Sequence, residues 1–391
     1  MSVLLPAVAG VLERGRVEGV APALAAAVYA EGGLVHASWH GEVPIPGARA
    51  LARDDLFDVA SLTKVMATAT LAAQLAGEGR LDLDAPVAAV LSGFEGGGKQ
   101  GVTARHLLAH AAGLPAWRPY FEMAARDPLA GAAFRPAAAR PPPGSMGEAF
   151  GRGKALIRAA VLAEPAEAAP GAHACYSDPG FLALGFLVEA LGGAPLSALA
   201  ARRVFGPLGL GSTAFVDGLA GGHGALAGRT FAPTGWSEAR GGLSQGVVND
   251  DNAWAMGGGA GHAWVFSTAQ EVGAFGQAWL VALAGGRSVV PSQAARAFVE
   301  RDRATPGSGR ALGWDTPTGQ TSLGTRLGRG PKGAVGHLGF TGCSLWLDLD
   351  REVAVALLTN HVHPSGKADR ARIHTFRRAF HDAVAEALGV G

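Results

Sequence analysis

Ser61 and Lys64 lie three residues apart in the stretch Phe57-Asp58-Val59-Ala60-Ser61-Leu62-Thr63-Lys64-Val65. A serine hydroxyl is a weak nucleophile until a base stands within hydrogen-bond reach. A lysine amine can be that base where burial or neighbouring cations hold it neutral. Downstream, Val65, Met66, Ala69, Leu71, Ala72, Leu75 and Ala76 recur at helical spacing until Gly77-Glu78-Gly79. The spacing predicts a helix with Ser61 at or near its N-terminus and Lys64 on the same face. There the positive end of the helix dipole favours a developing alkoxide. The same pattern also fits a capping serine beside a solvated lysine, so other residues must decide.

Two further segments offer chemistry. In Cys175-Tyr176-Ser177-Asp178-Pro179-Gly180-Phe181, Ser177 or Asp178 caps a helix with Pro179 at its first position. That helix runs through Leu182, Leu184, Phe186, Leu187 and Leu191 to Gly192-Gly193, and it holds Tyr176 just before its start. Near the C-terminus, His337-Leu338-Gly339 opens a region of alternating strands.

These segments need a scaffold. Leu24 to Tyr29 and Leu34 to Trp39 read as a hairpin about Glu31-Gly32-Gly33. A second hairpin joins Ser344–Leu349 to Val353–Thr359 about Asp350-Arg351, and Ile373, Phe376, Phe380, Val384 and Leu388 mark a terminal helix. Asp84 is read as the cap of a helix starting near Pro86. Strands at both ends with helices between them predict one sheet built from both termini. The sheet unit is expected to take residues 1–80 and 255–391, with a mostly helical insertion over 81–254 and the site in the cleft between. The Pro-rich stretch Arg135 to Gly147 is expected to be either a pocket wall or a surface insertion.

Composition narrows the function classes. With 33 basic and 32 acidic residues and a net charge of +1, the chain has no electrostatic footprint for nucleic acid. No run of about 20 residues is continuously apolar, so no membrane span is expected. The first residues lack a basic n-region, which leads to the expectation of a cytoplasmic protein. Cys175 and Cys343 are too few for a disulfide framework and are read as structural thiols. His106 and His110 are four apart, but no glutamate follows the first, so they are read as structural and no metal is expected. The glycine run Gly257 to Gly261 lacks the Gly-Lys-Ser/Thr ending of a phosphate-binding loop.

The ordered set Ser61-x-x-Lys64, Tyr176-Ser177-Asp178 and His337-Leu338-Gly339 resembles the serine beta-lactamase and penicillin-binding-protein superfamily, in its class C-like branch. Segments Arg105 to His110, Gly206 to Leu210, Gly257 to Thr268 and Thr359 to Ser365 also look like family segments. The resemblance implies an α/β (α+β) fold whose central antiparallel sheet is flanked by helices and carries an inserted helical subdomain. It implies an acyl-enzyme on Ser61, with Lys64 and Tyr176 sharing the proton transfers and no cofactor. The backbone N–H groups of Ser61 and Phe340 would form the oxyanion hole. Asp178, His337, Leu338 and Gly339 would contact the substrate. Because lysine and tyrosine both titrate near 10, at least one is expected to be depressed.

Two residues depart from the family pattern: Asp178 replaces the usual asparagine and His337 the usual lysine. An ionised aspartate only accepts hydrogen bonds, and a histidine is mostly neutral near pH 7. Both changes favour a small neutral ester or amide as the substrate. The alternatives are a beta-lactamase or D,D-carboxypeptidase/D-aminopeptidase and, from another class, a non-catalytic scaffold or binding protein on the same fold.

Overall fold

Two strands from opposite ends of the chain pair at the centre of the fold: Ala23–Ala30 runs antiparallel to Val353–Thr359, with Leu24 opposite Thr359 and Tyr29 opposite Ala354. The computed structural model describes residues 5–44, 47–136, 146–219, 222–319 and 321–390. The six-stranded sheet runs Arg49–Ala50, Gly33–Val43, Ala23–Ala30, Val353–Thr359, Ser344–Asp348, Ala334–Leu338, every pair antiparallel. Both predicted hairpins are present. The whole of Val353–Thr359 is buried, which requires cover on both faces. Ala354, Ala356 and Leu358 face one core with Phe275 and Trp279 of the helix Ala269–Leu283. Val353, Val355 and Leu357 face a second core with Val8 and Leu12 of Pro6–Val17 and Phe376, Phe380 and Val384 of Arg370–Ala387. The strand's period of two thus divides its side chains between two helical layers.

Helices are the main regular structure in the middle of the chain, joined by long loops. Asp178–Gly192 starts as its sequence predicts: the Ser177 Oγ accepts the Gly180 N–H at 3.0 Å, and Gly193 ends the helix at a φ of 72°. Ten of its residues are buried, so its apolar character serves the core. Among the described residues no single helix is long and apolar enough to cross a membrane.

Three expectations are corrected. The run after Ser61 is not one regular helix. It begins as a 3₁₀ turn (Ala60–Leu62), passes through a π-helical stretch (Lys64–Ala69) and becomes α-helical only over Thr70–Gly77. Asp84 caps no helix; only a 3₁₀ turn, Val87–Ala89, follows, because its carboxylate is taken by Arg105 at 2.6 and 2.8 Å. His337-Leu338-Gly339 closes a strand rather than opening one, since Ala334–Leu338 ends there. Residues 137–145 of the Pro-rich loop lie outside the described residues.

Candidate active site

Ser61 sits in a strained turn. Ala60 has a φ of 49°, a left-handed conformation that costs a non-glycine residue about 1–2 kcal/mol. Buried Asp58 holds that geometry. Its Oδ1 accepts the Ala60 N–H at 2.9 Å, its Oδ2 accepts the Asn249 N–H at 2.7 Å, and its backbone oxygen accepts the Thr341 hydroxyl at 2.8 Å. Burial pushes the Asp58 carboxyl up to about 6, against these backbone donors. Sequence reading passed over Asp58. The available signal was a carboxylate inside an apolar run, three residues before the serine.

The Ser61–Lys64 spacing brings the two side chains together. The Lys64 Nζ donates to the Ser61 Oγ at 3.0 Å, to Asp178 Oδ1 at 2.7 Å and to the His262 carbonyl at 3.2 Å. That carbonyl reaches the site because the chain passes tightly over the helix at Gly261, where a Cβ would lie 2.2 Å from the Phe181 oxygen. Lys64 is fully buried, and Asp178 retains some solvent contact. Tyr176 completes the cluster: the Lys64 Nζ lies 4.8 Å from its ring centroid, and Lys64 and Ser61 both act on its phenol.

The expectation of a depressed amine or phenol is corrected. Burial by itself disfavours the Lys64 ammonium, but Asp178 and Tyr176 outweigh it and raise Lys64 above the ordinary lysine value. Burial also pushes the Tyr176 phenol up; Lys64 opposes this and Asp178 adds to it. The resting site therefore holds an ammonium and a neutral phenol. Asp178, read from sequence as a substrate contact, has Lys64 as its partner.

His337 lies at the end of the edge strand, 6.0 Å from the Tyr176 ring centroid. Its Nδ1 pairs with the Leu338 carbonyl at 2.9 Å; a carbonyl only accepts, so Nδ1 carries the proton. Nε2 is then a buried acceptor with no partner among the described residues. Burial brings His337 down to about 4, with Asp315 opposing and Lys64 and Arg310 assisting. Next comes a tight turn in which Gly339 approaches Val59 so closely that a Cβ would lie 2.7 Å from the Val59 oxygen. Phe340, at the tip, is 46% exposed and offers an apolar face beside Ser61's own turn.

Two residues around Tyr176 had no legible role in sequence. His110 lies 4.5 Å from the Tyr176 ring centroid, and its Nδ1 accepts the Ser177 N–H at 3.0 Å. It is structural, as expected, but what it structures is the tyrosine. The Arg310 guanidinium is the other neighbour of that ring, 5.2 Å from its centroid, and is ion-paired with Asp315. Asp315 in turn pairs through its backbone with Gly336 of the edge strand at 2.7 and 2.9 Å. No local pattern marks Arg310, which reaches the site only through this pairing. Among the described residues no group of three or more His, Cys, Asp or Glu side chains is arranged to hold a metal. Cys343 is buried behind the Gly339 turn, and Cys175 is partly exposed.

The beta-lactamase family model matches residues 8–378. A relative from Salmonella schwarzengrund named as a putative D-alanyl-D-alanine carboxypeptidase is 27% identical over 332 residues, covering 79% of this chain and 70% of its own. Among solved structures, EstCE1, described as a hydrolase with promiscuous acyltransferase activity, aligns with a TM-score of 0.69 at 20% identity over 97% of both chains. A class C beta-lactamase mutant aligns at 0.66 and 15% identity over 97% of this chain and 96% of its own. A penicillin-binding-protein homologue from Pyrococcus abyssi aligns at 0.70 and 18% identity, covering 99% of this chain and 78% of its own.

Proposed function

Because this chain belongs to the beta-lactamase family of serine hydrolases, we propose that it forms an acyl-enzyme on Ser61 and hydrolyses small neutral esters, with amides open to the same route. The observation that carries this reading is the 3.0 Å contact between Lys64 Nζ and Ser61 Oγ in a buried site that also holds Tyr176. Lys64 is held as a cation by Asp178, so its role is to stabilise negative charge on Ser61 and Tyr176. Tyr176 is then the proton carrier, and the reactive form is the minor one in which its phenol has lost a proton to solvent while Lys64 keeps its own: the phenolate takes the Ser61 proton as Oγ bonds to the carbonyl carbon. The proton passes to the departing alkoxide as the ester C–O bond breaks. Water next attacks the acyl carbon and releases the acid, with the proton returned to Ser61. The backbone N–H groups of Ser61 and Phe340 hold the oxyanion; one such donor is worth roughly 3 to 4 kcal/mol.

The preference for a neutral substrate rests on charge. Both cations beside Tyr176 already have carboxylate partners, Lys64 with Asp178 and Arg310 with Asp315. His337 is neutral at physiological pH. A substrate carboxylate would meet no uncompensated cation among these groups, while exposed Phe340 suits an apolar acyl or alcohol group. The name of the Salmonella relative favours a second reading, D,D-carboxypeptidase activity, on which an anionic peptide terminus would be bound.

The test compares turnover of p-nitrophenyl butyrate, a chromogenic cephalosporin and an acylated tripeptide ending in D-Ala-D-Ala. Ester turnover is expected to be the fastest; faster cephalosporin or peptide turnover would overturn the ester reading. A fluorophosphonate probe is expected to label Ser61, and Ser61→Ala to lose at least about 10³-fold in kcat with its fold intact. Unchanged turnover in that variant would end the nucleophile assignment.

A further inference from the structure

Behind the Gly339 turn lies a buried cation that the proposed chemistry has not yet used. Arg377, on the C-terminal helix, is 5% exposed. Its Nη2 donates to the Gly339 carbonyl at 2.8 Å and the Cys343 carbonyl at 2.7 Å, and its Nε donates to the Gly342 carbonyl at 3.1 Å. No carboxylate pairs with it among the described residues, and although burial brings it down to about 10 it stays charged at neutral pH. Burying a guanidinium costs several kcal/mol, and an apolar side chain of similar volume often does better for stability.

The first of its acceptors gives the cation a role. The Gly339 carbonyl and the Phe340 N–H belong to one peptide group. In a planar trans peptide the oxygen and the N–H point in opposite directions. A charge-assisted hydrogen bond on the oxygen therefore fixes where the N–H points and increases its polarity, since linked hydrogen bonds polarise one another. The turn also donates to the same oxygen through the Gly342 N–H at 3.0 Å, and its Thr341 hydroxyl is anchored on the Asp58 carbonyl beside Ser61. The Gly339–Phe340 peptide is thus held from behind by a positive charge and from the side by the nucleophile's own turn.

We infer that Arg377 is a positioning residue for the oxyanion hole, orienting and polarising the Phe340 N–H through the Gly339 carbonyl. This rests on the reading of Ser61 as the nucleophile and of Phe340 as an oxyanion donor. It assigns the C-terminal helix a part in transition-state stabilisation although its side chain need not touch substrate.

The experiment uses the full chain with Arg377→Met and Arg377→Gln, both neutral, the second retaining a donor. In each, kcat for p-nitrophenyl butyrate is expected to fall about 10-fold with KM within about twofold, less than the 10²–10³ that deleting an oxyanion donor costs. Affinity for an alkyl boronic acid, whose Ser61 adduct mimics the tetrahedral intermediate, is expected to fall by the same factor. The acyl-enzyme carbonyl stretch is expected to move to higher frequency, reporting a weaker oxyanion hole. A merely structural arginine would lower Tm and leave boronate affinity and carbonyl frequency unchanged, which would overturn the inference. Failure of both variants to fold would assign Arg377 to the core alone and overturn it equally. If the wild type shows neither a fluorophosphonate adduct nor a boronate adduct at Ser61, the parent reading has failed; adducts in the wild type with unaltered variants reject the Arg377 role only.

Discussion

Lys64 and Lys99 are both fully buried lysines, yet their surroundings treat the charge in opposite ways. Lys64 is paired with Asp178, which raises it despite burial. Lys99 lies under the loops around Gly96 and Glu164 and donates only to backbone carbonyls there, at 2.8 and 2.6 Å, with the Phe94 ring centroid 5.2 Å away. Burial lowers Lys99, and the more distant carboxylates of Glu164 and Glu95 do not reverse it. Desolvation acts on both; a carboxylate in direct contact decides the sign. A buried lysine therefore signals chemistry only together with what it faces. Lys99 serves to satisfy carbonyls in a loop, whereas Lys64 faces a serine hydroxyl.

The sharpest separation comes from replacing each lysine by methionine. Lys64→Met is expected to lose about 10³-fold or more in kcat and to cost about 3 kcal/mol, since it strands the Asp178 carboxylate. Lys99→Met is expected to keep ester turnover and cost about 1–3 kcal/mol for the carbonyls left without a donor. Turnover assays and denaturant melts read both. Comparable activity in the two variants would remove Lys64 from the mechanism.

Asp178→Asn makes the Lys64 environment more like that of Lys99. With the anion gone, Lys64 and Tyr176 are both expected to titrate lower, because Asp178 raises each of them. The alkaline-going limb of the pH–kcat/KM profile is expected to shift down by about one unit or more. A limb that stays in place would show that neither group's ionisation governs turnover.

The smallest effect concerns stability. His337 and His381 are buried imidazoles without a carboxylate in contact, and burial brings each down to about 4. Their folded values lie below the unfolded one, so between about pH 6.5 and 4 the unfolded chain binds more protons and stability falls as pH falls. Asp58, raised to about 6, works in the opposite direction over the lower part of that window. His36 is also brought down to about 4 and His110 is also lowered by burial, so the lowered imidazoles outweigh the raised carboxyl and Tm is expected to drop from pH 7 to 5. His381→Gln, which can still donate to the Ser322 and Arg377 carbonyls, is expected to flatten that slope. An unchanged slope would place the acid sensitivity elsewhere.

Much of the architecture was legible because strand and helix periods are local. The hairpin Ala23–Ala30 with Gly33–Val43, the capped Asp178 helix and the terminal helix all appear where alternation or three-and-four spacing put them. The misreadings were local signals overridden from a distance. Asp84 has the form of a cap, yet Arg105 takes its carboxylate. The apolar run after Ser61 has helical spacing, yet it winds through 3₁₀ and π turns while Thr68 bonds the Gly261 carbonyl at 2.7 Å and Thr63 accepts the Val265 N–H at 3.0 Å. Asp178 was recognised as unusual, but its partner lay beyond any spacing argument.

By itself the sequence determined the hairpins at both ends, the Ser61–Lys64 pair and the order of the three motifs. Each follows from contacts a few residues long or from residue types alone. Only the tertiary structure decided the charge state of that pair, because Asp178 is 114 positions from Lys64 and desolvation depends on everything packed around both. It alone also seated Arg310 on Tyr176 and Arg377 behind Gly339. A guanidinium becomes an electrostatic part of a site only when folding brings it, out of water, to the atom it polarises.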